Sequence, residues 1–172
     1  MKNWSKYLNT GVALLFVASC LPALVTAQTQ TSILAGAELS RVTPLGFYFQ
    51  GLSAPTQMRN ATAARFGSDR HVIAGLVDTS GYASDVRSKY EGFIIADTNI
   101  TINGESLGIG AYGFGFSDDG KLNIMDLAGN QILSVASTKD SKLKRPRPLM
   151  MSLDGQRIRF YSRRDYVLIA PK

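Results

Sequence analysis

Between residues 91 and 137, glycine-bearing turn pairs interrupt runs of alternating polarity at short intervals, and this punctuation constrains the chain more than any other feature. Asn103-Gly104 separates Ile100-Thr101-Ile102 from Leu107-Gly108-Ile109, and an Asn-Gly pair supplies the two positive-φ positions of a type I′ hairpin turn. Asp118-Asp119-Gly120 and Ala128-Gly129-Asn130 repeat the pattern, dividing Tyr112-Gly113-Phe114-Gly115-Phe116, Leu122-Asn123-Ile124 and Ile132-Leu133-Ser134-Val135. A helix of period 3.6 cannot use such spacing, so this stretch is predicted to be a β-meander.

The flanks carry the same signal. Gly46-Phe47-Tyr48-Phe49-Gln50-Gly51 is an aromatic strand bracketed by glycine, and Gly67-Ser68-Asp69 is a turn ahead of His71-Val72-Ile73-Ala74. Asp154-Gly155 separates Leu149-Met150-Met151-Ser152-Leu153 from Arg157-Ile158-Arg159-Phe160-Tyr161, and Tyr166-Val167-Leu168-Ile169 follows. Ser53 with Pro55 resembles a helix start, so a short helix or irregular piece is expected near residues 53–60, with a strand after it. Residues 78–89 form the longest loop of the body. Pro146 and Pro148 forbid a central strand and favour an extended link. The expected fold is all-β: a single antiparallel up-and-down β-barrel, or a barrel-like sandwich, of about 8 to 10 short strands.

The first residues, Met1-Lys2-Asn3-Trp4-Ser5-Lys6, lead into an apolar run and then Val25-Thr26-Ala27 ahead of Gln28. That is the layout of a bacterial secretory signal peptide over residues 1–27. The run carries Pro22 and is shorter than the ~20 apolar residues of a membrane span. Val17-Ala18-Ser19-Cys20 resembles a lipoprotein processing box, but the chain stays apolar past Cys20, which favours cleavage after Ala27 and removal of the single cysteine. The expected organisation is a removed leader at 1–27, an extended arm at 28–43 and one β domain at 44–172. The exported destination is the periplasm, the cell envelope or the exterior. About 145 residues then remain, enough for one core.

Charge is uneven. The full chain has 19 Lys and Arg against 13 Asp and Glu; loss of Lys2 and Lys6 leaves 17 against 13, a net +4. The excess lies after residue 139. Arg157, Arg159, Tyr161 and Arg163 share one face of a strand, opposite Ile158 and Phe160, and could collect anions with Lys142, Lys144, Arg145, Arg147 and Arg164. Tyr112, Phe114 and Phe116 share a face with Gly113 and Gly115 on the other; either the aromatics fill the interior or the glycines line a cavity. With Tyr82 of the long loop, the candidate ligand-binding residues are Tyr82, Tyr112, Phe114, Phe116, Arg157, Arg159 and Arg163.

Catalysis finds less support. His71 is the one histidine; Asp78 and Ser80 follow it, yet no G-x-S-x-G elbow is present and strand alternation sets His71 and Asp78 on opposite faces. One histidine and no retained cysteine give neither a metal site nor a cofactor site, and Asp118-Asp119-Gly120 is too short for an EF-hand loop. Asp85, Glu91 and Asp97 are the carboxylates a glycan hydrolase would need in a pair. Strand count and turn spacing resemble those of lipocalins and streptavidin, barrels that carry small ligands, but the lipocalin G-x-W signature is missing and the one tryptophan is Trp4.

The sequence thus points to an exported, non-catalytic, monomeric binding module. Its partner is a small apolar or amphipathic molecule, or an anionic envelope polymer or lipid head group bound by the basic C-terminal strand. No nucleic-acid motif accompanies the charge. Sequencing the N-terminus of the exported protein is expected to begin at Gln28; an acylated Cys20 at the first position would overturn the cleavage assignment.

Overall fold

The computed structural model describes residues 30–172, so the leader and Cys20 lie outside the described residues. The chain forms, in order, β1 (Thr31–Ile33), α1 (Gly36–Val42), β2 (Gly46–Phe49), β3 (Leu52–Phe66), β4 (Arg70–Val77), α2 (Ser84–Arg87), β5 (Gly92–Ala96), β6 (Ile100–Ile102) and β7 (Glu105–Leu107). β8 (Gly110–Ser117), β9 (Lys121–Met125), β10 (Gln131–Ala136), β11 (Thr138–Lys139), β12 (Arg147–Asp154), β13 (Arg157–Arg163) and β14 (Asp165–Pro171) complete it.

The strands make two antiparallel sheets. The larger runs β1-β3-β4-β5-β8-β9-β10 with β2 also on β3; the smaller runs β12-β13-β14-β6-β7 with β11 on β14. The all-β class is as expected, in its barrel-like sandwich form: the described residues form no closed barrel. The β6–β7 hairpin is the reason. It leaves the meander after β5 and pairs with β14 through Ile102 and Ile169, and the chain then returns as β8 beside β5. A meander whose middle hairpin changes sheet cannot close upon itself.

The local turn chemistry sets these hairpins. Asn103 and Gly104 have φ of 49° and 93°, joining Ile102 to Glu105 as a type I′ turn requires. Gly120, Gly129 and Gly155 each sit at positive φ in the turns after β8, β9 and β12. Gln50 and Gly51, at 46° and 81°, form a further such turn between β2 and β3. Gln50 is held there by its N–H on the Leu127 carbonyl at 2.9 Å.

The segment at 53–60 differs from the expected helical piece: it is extended and belongs to β3, a strand of fifteen residues. Three residues more lie on β3 than on β4 between the Thr56↔Val77 and Ala61↔Gly75 pairs, so the strand bulges there. Gln57 Nε2 donates to the Val77 carbonyl at 2.9 Å and Asn60 Nδ2 to Gln57 Oε1 at 2.9 Å, side chains standing in for the interrupted ladder. The described part of the expected arm, from residue 30, also carries structure of its own. β1 pairs Ile33 with Ala64, and α1 follows.

The space between the sheets is filled. Phe66, Val72, Ile94, Phe114, Leu122 and Ile124 of the larger sheet meet Ile100, Ile102, Met151, Ile158, Phe160, Val167 and Ile169 of the smaller, with Phe114 edge-on to Phe160 at 5.3 Å. A second core covers the opposite face of the larger sheet, where Phe47 stacks on Phe93 at 4.9 Å and Phe49 on Tyr90 at 4.0 Å.

That second layer rests on glycine. A Cβ at Gly113 would lie 2.5 Å from the Phe49 ring, and one at Gly115 would lie 2.1 Å from the Lys89 carbonyl oxygen. The β2–β3 hairpin and the loop at 78–91 can therefore approach the sheet only over bare backbone. Gly115→Ala is expected to destabilise the fold by about 1–3 kcal/mol in urea titration, because the contact is with backbone and cannot rotate away. Gly108→Ala, whose Cβ meets nothing closer than 3.8 Å, is the control and should stay within about 1 kcal/mol. Equal stability of the two variants would refute the glycine-paved contact.

Candidate functional site

The seven sequence candidates do not converge. Phe114 is fully buried between the sheets, with Tyr112 and Phe116 half-buried beside it. Tyr82 belongs to the second core, where its hydroxyl donates to the Leu52 carbonyl at 3.0 Å and burial raises its pKa. Arg157 and Arg159 both pair with Asp154, at 2.8 and 2.9 Å, and Arg159 lies 5.2 Å over the Tyr166 ring. Arg157 and Arg163 are both exposed, but of the seven only Arg163 lines an open basic cleft. Six residues at ~3.3 Å each place it about 20 Å along β13 from Arg157.

The cleft has a volume of about 460 Å³ and is lined by Lys139, Pro146, Arg147, Pro148, Arg163, Arg164 and Asp165. Its walls follow from register. Turn closure at Asp154 and Arg157 zips β12 to β13 as far as Leu149↔Ser162, and a shift at Pro148 then sets Arg147 directly across from Arg163. Proline has no N–H to give the ladder, so a bulge on an edge strand is where it fits. β11 pairs Lys139 with Asp165 and contributes the remaining wall.

The loop at 140–146 is clamped over this end. Asp140 Oδ1 accepts the Lys142 and Leu143 N–H groups at 3.0 and 3.1 Å, and its Oδ2 accepts the Tyr161 hydroxyl at 3.0 Å. Arg164 Nη1 donates to the Leu143 carbonyl at 2.6 Å. The cleft is thus built before any ligand arrives.

Its electrostatics are unbalanced. Among the described residues, Lys139, Arg147, Arg163 and Arg164 make no salt bridge; the five present involve Glu38, Asp97, Asp119 and Asp154. Like charges directly opposite on adjacent strands destabilise a sheet, and Arg147 faces Arg163. Arg163 also holds φ of 55°, a left-handed conformation that costs a non-glycine residue about 1–2 kcal/mol.

The other chemical candidates are dispersed. His71 Nδ1 contacts Asp97 Oδ2 at 3.1 Å, and the Asp78 carboxylate accepts the Ser80 N–H at 3.0 Å in a turn, so His71, Asp78 and Ser80 form no relay. Among the described residues no group of three or more His, Cys, Asp or Glu is placed to hold a metal. Glu91 and Asp97 flank opposite ends of β5, about 20 Å apart at the strand's rise and beyond the reach of a two-carboxylate mechanism. Asp85 is exposed on α2. No helix among the described residues is long and apolar enough to cross a membrane.

Sequence alternation located Arg163, and the charge run located Arg147 and Arg164, but not the pairing that joins them. The Asp154-Gly155 turn carried that signal: counting back from it brings Arg163 opposite Pro148, one residue from the observed partner. No family model matches the chain, and none of the curated proteins or solved structures compared with it is similar.

Glu91 is half-buried and accepts the Phe116 N–H at 3.0 Å. Burial pushes its carboxyl above the ordinary range; the Phe116 hydrogen bond and the Arg163 charge pull the other way. A raised folded-state pKa makes the ionised group a cost that appears as pH climbs above the ordinary glutamate range. Glu91→Gln is therefore expected to raise stability near pH 7, with the gain fading as pH falls through that range, as read from urea midpoints against pH. A variant no more stable at pH 7 would contradict this.

Proposed function

We propose that this protein is an exported, non-catalytic binding module that takes an anionic ligand on its surface, in the cleft between the start of β12 and the turn joining β13 to β14. The observation carrying this reading is Arg147 set opposite Arg163, neither of them in a salt bridge among the described residues, in a cleft that Lys139 and Arg164 complete and whose lining holds one carboxylate, Asp165. The packed interior argues for a surface ligand: aromatic and aliphatic side chains occupy the volume a carrier would leave open.

A second version of the reading enlarges the ligand. Lys142, Lys144 and Arg145 are exposed on the same loop and extend the positive surface beyond the cleft, which favours a polymer with repeated acidic groups. Attachment to an anionic envelope polymer and capture of a small anion share the same first contact.

Calorimetric titration with pyrophosphate and with polygalacturonate separates these from an unrelated function. Binding is expected to weaken steeply between low and physiological salt, where exposed charges are screened over ~8 Å. Arg147→Glu combined with Arg163→Glu should weaken it at least tenfold, while Arg157→Glu, remote from the cleft, leaves it within about twofold. Unchanged affinity in the double variant would overturn the proposal.

A further inference from the structure

β3 and β12 face each other across the seam where the two sheets come closest to joining, yet no backbone ladder links them. The Met151 N–H donates to the Thr62 hydroxyl at 3.2 Å across it, and Ala64 of β3 shares a core with Leu149 and Met151 of β12. Toward the β3 bulge the strands part, and a groove of about 350 Å³ opens between them, roofed by the link from β1 into α1. Leu39, Met58, Ala61, Leu149, Met150 and Met151 supply its apolar lining, with Arg59 and Arg147 also on its wall. Leu149 and Met151 are buried beneath it, whereas Leu39, Met58 and Met150 are half-exposed along it.

Arg147 lines this groove and the basic cleft alike. One strand start, Arg147-Pro148-Leu149-Met150-Met151, therefore passes directly from a cationic site to a mixed one whose lining includes leucine and methionine side chains beside Arg59 and Thr62. We propose that the ligand is an amphipathic anion: an acidic head group, such as a phosphate monoester, seated among Lys139, Arg147, Arg163 and Arg164, and a single alkyl or acyl chain laid along the methionine-lined groove. This rests on the anion-binding reading above and adds the second half of the ligand. Charge complementarity fixes the polarity of the head. The tail follows from the lining, because methionine is unbranched and polarizable and adapts to chains of differing length. The groove's volume is in the range of small-ligand sites, about 300–1,000 Å³. The β3 bulge, which interrupts the sheet at Gln57 to Asn60, is on this account the device that opens the seat.

Calorimetry of the full exported chain with inorganic phosphate and with butyl, hexyl and octyl phosphate, each kept monomeric, tests the idea. Affinity should rise about two- to fourfold per added methylene until the groove is full. Arg147→Gln should weaken the whole series, inorganic phosphate included. Met58→Gln with Met150→Gln, both at half-exposed positions, should remove the chain-length dependence while leaving inorganic phosphate bound as before, with circular dichroism checking the fold. If butyl and octyl phosphate bind the parent protein equally and phosphate still binds, the tail seat is wrong and the anion cleft stands. If none of the four binds, the anion cleft itself falls. Vesicles of phosphatidylglycerol distinguish a membrane source: retention of the methionine double variant equal to that of the parent protein would mean contact with head groups alone, and would overturn the tail seat.

Discussion

The approach of aromatic rings to bare backbone on the larger sheet is the contact on which the remainder of this molecule depends. Phe49 lies against Gly113 and the Lys89 carbonyl against Gly115, distances that any side chain would forbid. The β2–β3 hairpin can then fold down upon the sheet, and Tyr82 and Tyr90 close the layer around Phe49. With one face covered by this aromatic layer and the other by the smaller sheet, the centre of the larger sheet around β5 is buried on both sides. The clefts lie at the margins: the basic end of the smaller sheet and the seam between β3 and β12.

Those margins have a common origin in topology. Because β6 and β7 leave the meander and pair with β14, the two sheets stay separate and their edges meet without a ladder. A closed barrel would hydrogen-bond β3 to β12 and erase the groove. The two strands that flank the gap are both irregular beside it: β3 bulges against β4 between Thr56 and Ala61, and β12 shifts register against β13 at Pro148.

Turns were the most legible part of the chain, since Asn103-Gly104, Gly120, Gly129 and Gly155 act through their own φ angles and need no tertiary partner. The Gln50-Gly51 turn was less visible, because glutamine reaches positive φ only with help from Leu127. Residues 53–60 read as a helix start because Ser53 and Pro55 satisfy local rules; pairing of Pro55 with Gly46 and side-chain hydrogen bonds from Gln57 and Asn60 decide otherwise. Alternation placed Tyr112, Phe114 and Phe116 on one face correctly, with the packed alternative holding. It grouped Arg157, Arg159 and Arg163 as one row, but Arg157 and Arg159 share the Asp154 carboxylate across its own turn. Charge alone could not separate a spent arginine from an available one; the partner had to be seen.

The central claim is that an anion is bound by cations which the hairpin register forces together. Mapping backbone amide shifts by NMR during titration with pyrophosphate tests it most directly. The account predicts saturable shifts concentrated at residues 139–148 and 162–165, with the β12 edge moving together with the β13–β14 turn. Shifts scattered over all exposed lysines and arginines without saturation, or confined to the Arg157 and Arg159 face, would contradict it.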